Sequence, residues 1–256
     1  MACILTIETS TNVCSAALIL DGKVVCEKVS YDGPSHASLT GVYVEDCIKV
    51  MKEKGLKLDA VAVSSGPGSY TGLRIGVSVA KGLCFGYGIP LIAIHSLDIM
   101  AHTAINRNNN EDCLYCAMID ARRMEVYSSL YDNTGKEVRK VKADIVDGDT
   151  YSSYLSAGKV CFFGNGSSKC KSVITDSNAF FLDEIHPLAS EMATLAEKAY
   201  SEKKFEDVAY FEPFYLKEFQ ATIAKNKVLG NTYELTREQV DKREKLWLIC
   251  FLVNVL

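Results

Sequence analysis

Slid by 112 positions, this chain falls onto itself. Residues 3–28 read strand, turn, strand, turn, strand: CILTIE, TSTN, VCSAALIL, Asp21-Gly22, KVVCEK. Residues 115–140 repeat the order as YCAMID, ARRM, EVYSSLY, DNTG, KEVRK. In that register Glu8 meets Asp120, Ile7 meets Ile119 and Leu18 meets Leu130; one extra residue in the second turn then brings Gly22 onto Gly135. An Asp-Gly pair between two apolar alternations signals a hairpin, because both residues tolerate the positive φ of a tight turn. A repeated three-strand unit implies one substructure built twice, and it has to be settled before local motifs are interpreted. Both copies end their first strand on a carboxylate.

The rest of the chain fits around these units. After the first hairpin, PSHASLTGVYVEDCIKVMKEKG carries Leu39, Val42, Tyr43, Cys47, Val50 and Met51 at helical spacing, with cations before the terminating Gly55. DAVAVSS is a short buried strand, GPGS a turn, and YTGLRIGVSVAKGLCFGYG a second helix despite its glycines. IPLIAIHS supplies another strand and SLDIMAHTAIN another helix. This βββαβαβα order predicts a mixed sheet with helical crossovers. The polar stretch NRNNNED (106–112) separates the copies, so the expected organisation is an N-terminal lobe over 1–105 and a C-terminal lobe over 106–227. The second lobe continues through GNGSS, a helix over 189–204, and YFEPFYLKEF, apolar enough to pack and free to return to the first lobe. Residues 228–256 change character: TREQVDKREK is a charged helical run and LWLICFLVNVL an apolar end of eleven residues. Eleven are too few to span a bilayer. A docking tail, an internal packing helix and a processing remnant all remain open for it.

Lys plus Arg number 28 against 32 Asp plus Glu, a formal charge of -4 that supplies no global attraction for nucleic acid. The start MACILTIETS lacks a charged n-region and a long apolar stretch, so it reads as a first strand, and the protein as cytoplasmic. In that compartment the ten cysteines, mostly within apolar runs, are expected to be small buried hydrophobes. Only Cys113 and Cys116 make a C-x-x-C, and on a strand residues three apart point to opposite faces. No second such pair or suitably spaced histidine completes a zinc set.

The stretch SSGPGSYTGLRIGVSVAKGL (64–83) invites three catalytic readings, and each fails on residue chemistry. A Walker loop needs Lys and then Ser or Thr after its glycine, but Gly72 is followed by Leu73 and Arg74. A dinucleotide fingerprint needs a third glycine where Thr71 stands. A nucleophile elbow centred on Ser69 would need glycines at 67 and 71, which are Pro67 and Thr71. What remains is Gly72, Gly76, Ala80 and Cys84 at steps of four, a row of small side chains along one helix face. Glycine inside a helix costs about 1 kcal/mol against alanine, so the row is expected to meet a compensating contact, within its own lobe or with another molecule. The four histidines (36, 95, 102, 186) form no metallopeptidase pair. His36, at a helix start, is expected at the surface or as a cap. Glu8, Thr9, Ser10 and Asp120 lie where two lobes of a duplicated nucleotide-binding fold would face each other. ETST and DARR nevertheless lack the glycines that let backbone N–H groups reach a phosphate, so the expectation is a degenerate cleft.

Together ILTIETST, GPGSYTGLRIGVSVAKGL, IDARRMEVY and EPFYLKEF resemble the bacterial TsaB (YeaZ) family, over about residues 1–227. The resemblance implies an α/β, duplicated actin-like ATPase/sugar-kinase (ribonuclease H-like) fold with two lobes. It further implies a non-catalytic partner, without cofactor or metal, of TsaD, which forms N6-threonylcarbamoyladenosine beside the tRNA anticodon. The ATPase TsaE would be reached through TsaD, and tRNA only indirectly. In that family the N-terminal helices pair with those of TsaD or with their own copies in a homodimer. Carried over, the interface is Leu39, Val42, Tyr43, Gly72, Leu73, Gly76, Val79, Ala80 and Leu83. Glu8 stands where the family commonly has Asp, and the tail after Lys227 has no counterpart in it. The rival readings are an active small-molecule kinase of the same fold and, behind it, a metallopeptidase of related fold.

Overall fold

Apolar alternation that changes to helical spacing and back becomes, in a computed structural model, two five-stranded sheets with helices against them; the structure describes residues 2–33, 35–108 and 112–217. The first half runs β1 (Cys3–Glu8), β2 (Cys14–Leu20), β3 (Lys23–Ser30), α1 (His36–Glu53), β4 (Ala60–Gly66), α2 (Tyr70–Tyr87), β5 (Leu91–His95) and α3 (Ser96–Asn108). The second runs β6 (Cys113–Asp120), β7 (Glu125–Tyr131), β8 (Glu137–Ile145), α4 (Ser152–Ala157), β9 (Lys159–Phe163), β10 (Ala179–Leu182) and α5 (Ala193–Ser201). The tail reading for 228–256 lies outside the described residues.

The sheet orders are β3-β2-β1-β4-β5 and β8-β7-β6-β9-β10. Each starts as an antiparallel meander and continues with two parallel strands, so β6 to β10 occupy the places of β1 to β5. The repeat therefore extends beyond the hairpins to the whole sheet, in the duplicated actin-like α/β fold that the resemblance implies. Asp21 (φ 51°) and Gly22 (φ 72°) make the expected tight turn between β2 and β3. Its counterpart is wider, with Asp132 Oδ1 accepting from Thr134 N (2.9 Å) and Lys136 N (3.0 Å).

Strands β9 and β10, which complete the second sheet, were not anticipated: KVCFF and AFFL are too short for periodicity to separate them from loop. The helix expected over 189–204 is shorter, a 3-10 turn at Ser190–Met192 leading into α5. It stops before Lys203 takes up a left-handed φ of 54°.

One face of the first sheet packs under α1 and α2, around Leu5, Ile7, Leu18, Cys47, Val61, Val63, Val77 and Ala80. The opposite face carries Ile4, Ala62, Ile92 and Ile94 against Met192, Ala193 and Ala196 from near the end of the described chain. The link is polar as well as apolar. Thr6 Oγ1 donates to Ala189 O (2.7 Å), and Ala189 N donates to Ser15 Oγ (2.9 Å), all buried. Helix α3 joins the halves, its Leu97, Met100 and Ala104 packing on Tyr115, Ala117 and Phe163 of the second sheet. Residues 205–217 run back without regular structure, tied by Glu206 N to Leu91 O (2.9 Å) and by Phe214 N to Ser65 O (2.7 Å). Phe211 packs on the first core, whereas Tyr210 is exposed.

Cys113 and Cys116 lie in separate cores on the two faces of the second sheet, as strand alternation requires. Among the described residues no helix is long and apolar enough to cross a membrane. Replacing Thr6 with Val keeps the shape but leaves the Ala189 carbonyl without its hydroxyl donor. This should cost about 1–3 kcal/mol in urea unfolding, and an unchanged midpoint would show that the polar link carries no stability.

Candidate functional site

Strand β1 carries Glu8 to its last position, under the N-terminal ends of α1 and α2. The carboxylate is fully buried. Glu8 Oε1 accepts from Ser10 N (2.5 Å), while Oε2 and the Ser10 hydroxyl have no partner among the described residues. Burial pushes the carboxyl up to about 7, against the hydrogen bond from the Ser10 amide, which favours the charged form.

The turn after Glu8 is covered by its own chain. Ser69 N donates to Ser10 O (2.6 Å), Thr9 Oγ1 donates to Gly72 O (2.8 Å), and His36 Nε2 donates to Thr11 O (2.7 Å). The glycines allow this approach. A Cβ on Gly68 would stand 2.2 Å from Ser10 O, on Gly72 2.1 Å from Thr9 O, and on Gly76 2.3 Å from Thr9 Oγ1. The loop at 66–69 and the first turns of α2 are thus a lid on the β1–β2 turn. His36, expected at the surface or as a cap, is buried beside it.

The second copy closes in the same way. Gly164 (φ 96°) follows β9 as Gly66 (φ 108°) ends β4. A Cβ on Gly164 would stand 2.3 Å from Met118 O, and one on Gly166 2.9 Å from the carbonyl carbon of Ile119. Gly66-Pro67-Gly68-Ser69 and Gly164-Asn165-Gly166-Ser167 are therefore counterparts. The repeated G-x-G-S after a buried strand is the signal that could have paired them. Asp120, unlike Glu8, is exposed; it holds Lys169 in an ion pair and accepts from Arg122 N (2.9 Å).

A phosphate at either strand end would need free backbone N–H groups. Ser10 N is taken by Glu8, Asp120 N by Asn165 Oδ1 (3.0 Å) and Arg122 N by Asp120. Glu8, Thr9 and Ser10 are brought together. Asp120 takes its contacts from Arg122, Asn165 and Lys169 on the other sheet.

The sequence-derived interface divides in two. Gly72, Leu73, Gly76 and Ala80 are buried in their own lobe, Leu73 and Ala80 at 0% exposure. Burial corrects their assignment: the small-residue row meets the chain's own turn and core, so it cannot form an open contact face. Leu39, Tyr43, Val79 and Leu83 are half-buried, and Val42 is 51% exposed. A second row, Ser78, Gly82 and Gly86, begins about 200° round α2 from Gly76 and faces outward. A Cβ on Gly82 or Gly86, or on Gly41 of α1, would meet nothing within 4 Å. Beside this row Phe85 is 86% exposed. Steps of four occur in both rows, so spacing alone could not show which row turns inward.

Elsewhere, a cavity of about 780 Å³ opens between α3, β8 and α5, lined by His95, Asp98, Tyr131, Glu137 and Lys198 among others. Tyr131 OH donates to Asp98 Oδ1 (2.7 Å), and burial raises the Asp98 carboxyl. None of the sequence-derived site residues lines it.

Two outcomes test the lid. Gly76→Ala should destabilise the protein by about 2 kcal/mol or more in urea, through overpacking against Thr9, whereas Gly82→Ala should gain up to about 1 kcal/mol. Equal effects at the two sites would refute the assignment of faces. The second outcome concerns pH. The folded chain keeps the Glu8 proton up to about pH 7, and the unfolded chain releases it near 4.5. Stability should accordingly fall as pH rises through that window and level off above it. The difference between wild type and Glu8→Gln should change by about 3 kcal/mol between pH 4.5 and pH 8, and parallel profiles would exclude a buried, protonated Glu8.

The model of the TsaD family, tRNA N6-adenosine threonylcarbamoyltransferase, matches residues 33–225. The tRNA threonylcarbamoyladenosine biosynthesis protein TsaB of Escherichia coli is 32% identical over 228 residues, covering 84% of this chain and 94% of that protein. TsaB of Bacillus subtilis is 30% identical over 222 residues, covering 84% and 93%. The solved structure of YeaZ from Pseudomonas aeruginosa superposes with a TM-score of 0.68 at 26% identity, covering 84% of this chain and 100% of that one. With the duplicated sheets and the self-covered strand end, these likenesses establish that the chain belongs to the TsaB (YeaZ) family of tRNA threonylcarbamoyladenosine biosynthesis proteins.

Proposed function

We propose that this protein is a non-catalytic, cytoplasmic subunit that binds a TsaD-type transferase and supports it in forming N6-threonylcarbamoyladenosine on tRNA. The observation that carries the reading is the contrast between two surfaces. The strand end where a nucleotide would sit is filled by Ser69, Gly68 and Gly72 of the same chain. The outer face of α1 and α2 leaves apolar side chains and open glycines in solvent. An unfilled apolar helix face beside a filled cleft supports binding of a partner more than turnover of a small molecule.

The docking surface in this reading keeps Leu39, Val42, Tyr43, Val79 and Leu83, adds Gly41, Ser78, Gly82, Phe85 and Gly86, and excludes the buried residues named above. Glycines at 82 and 86 would let a partner helix approach α2 closely, with Val42 and Phe85 flanking the contact. The TsaD family model matches most of this chain, which supports a partner of the same fold that would offer an equivalent helix pair. The same face would serve a homodimer, making self-association and transferase binding mutually exclusive. TsaE is reached through the transferase, and tRNA only through the assembled complex.

The rival, a small-molecule kinase of this fold, requires ATP turnover that depends on Glu8 or Asp120. Glu8 is sealed from solvent and Asp120 is engaged by Lys169. Purified chain that hydrolyses ATP, and loses the activity in Glu8→Ala, would favour this rival.

Gly82→Leu and Val42→Asp should each weaken transferase binding at least about tenfold in sedimentation or pull-down measurements, while the melting temperature stays within a few degrees of wild type. A threonylcarbamoylation assay with purified transferase should then lose the stimulation that the wild-type chain provides. Normal binding by both variants would sink this interface.

A further inference from the structure

Strands β6 and β9 are parallel neighbours in the second sheet, in a register that pairs Cys113 with Lys159 and Tyr115 with Cys161. Cys113 and Cys161 are therefore diagonal neighbours on one face. Both belong to the core under α3, with exposures of 5% and 2%. Their sulfurs are 2.6 Å apart. A second pair, Cys26 on β3 and Cys47 on α1, rests at 3.9 Å, an ordinary sulfur contact. Asn108 Nδ2, at the last residue of α3, approaches Cys161 Sγ at 3.5 Å and Tyr115 OH at 3.3 Å. Cys116 is held in the core on the opposite face of the sheet.

We propose that Cys113 and Cys161 are a covalent modification site: a reversible disulfide that cross-links β6 to β9 and forms by exchange with a small-molecule disulfide. The placement carries the idea. Adjacent strands fix both backbones and the shared face aims both side chains into one space, so the sulfurs stand 2.6 Å apart and a small shift of the strands closes the remaining gap to a bond. Asn108 Nδ2 donates to Cys161 Sγ, and a donor at the sulfur favours its thiolate, which makes Cys161 the attacking sulfur. Both sulfurs are buried, so the exchange runs through local opening of the sheet at β6 and β9: the Cys161 thiolate attacks one sulfur of the reagent, the reagent's S–S bond breaks, and one thiolate leaves. Cys113 then loses its proton and attacks Cys161 in that mixed disulfide, expelling the second thiolate. The protein gives up two protons and two electrons, and one disulfide reagent becomes two thiols.

The bond would close a loop of 48 residues that contains the whole second hairpin and α4. It would also stiffen the strands on which the C-terminal end of α3 rests. Constraint of the unfolded chain makes the oxidised form the more stable one.

The test incubates the native full-length protein with oxidised and reduced glutathione, then unfolds it in denaturant with an alkylating reagent to block the free thiols and reads mass. Two of the ten thiols should escape alkylation. Trypsin should release the peptide 108–122 joined to 160–169, and dithiothreitol should separate them. The oxidised protein should melt at least about 5 °C higher than the reduced one. Cys113→Ser should abolish both the link and the shift, while Cys116→Ser keeps them, which assigns the partner within the first peptide. If Cys113→Ser fails to fold, fragmentation of the wild-type linked peptide makes the same assignment. Ten alkylated thiols in protein treated with glutathione while folded would overturn the proposal, as would a link through Cys116 or a glutathione adduct without an internal bond.

Discussion

Backbone contact between the Thr9-Ser10 turn and the glycines of 68–76 decides most of what this molecule can do. With hydrogen in place of a side chain at 68, 72 and 76, the loop and helix α2 settle onto the turn at distances no Cβ would permit. The consequences are chemical as well as steric. The carbonyl of Ser10 is satisfied by Ser69, the hydroxyl of Thr9 by Gly72, and Glu8 is shut into a site where its proton is held well above the usual carboxylate range. The end of the first strand is a packed interior.

The same contact sets the orientation of α2 and thereby its outer surface. Once Gly72, Gly76, Ala80 and Cys84 face inward, Ser78, Gly82 and Gly86 face outward, because the helix period leaves no other choice. A helix that carries small residues on both sides can press closely on its own sheet and still offer a shallow outer face. The second half of the chain repeats the lid with Gly164 and Gly166, but its carboxylate, Asp120, sits in solvent against Lys169. Duplication has kept the architecture in both halves and left different chemistry at the two strand ends.

Legibility in the sequence followed the length of each signal. The hairpins, α1, α2 and α3 could be read because apolar period and turn chemistry agreed over many residues. β9 and β10 could not, since runs of five and four residues carry no period and are strands only because β6 offers β9 an edge. Absent glycines at ETST and DARR argued against a phosphate cradle at either strand end. That glycines elsewhere would cover the turn after Glu8 was not legible, because Gly68 and Gly72 lie some sixty residues from Ser10 and Thr9 along the chain. His36 shows the same limit. Its place at a helix start suggested solvent, but the carbonyl of Thr11 and the approach of Gly72 bury it.

Residue order by itself determined that the chain is a doubled α/β protein, that its glycine-rich segment is neither a Walker loop nor a nucleophile elbow, and that α2 must make a close backbone contact somewhere. These are properties of local chemistry and spacing. Only the tertiary structure decided which face of α2 makes that contact, that the contact is with the protein's own first turn, and that Cys161 meets Cys113 and not Cys116. Each depends on which distant segments the sheet register brings together. Helical steps of four and strand steps of two define faces in a sequence without saying which face turns inward.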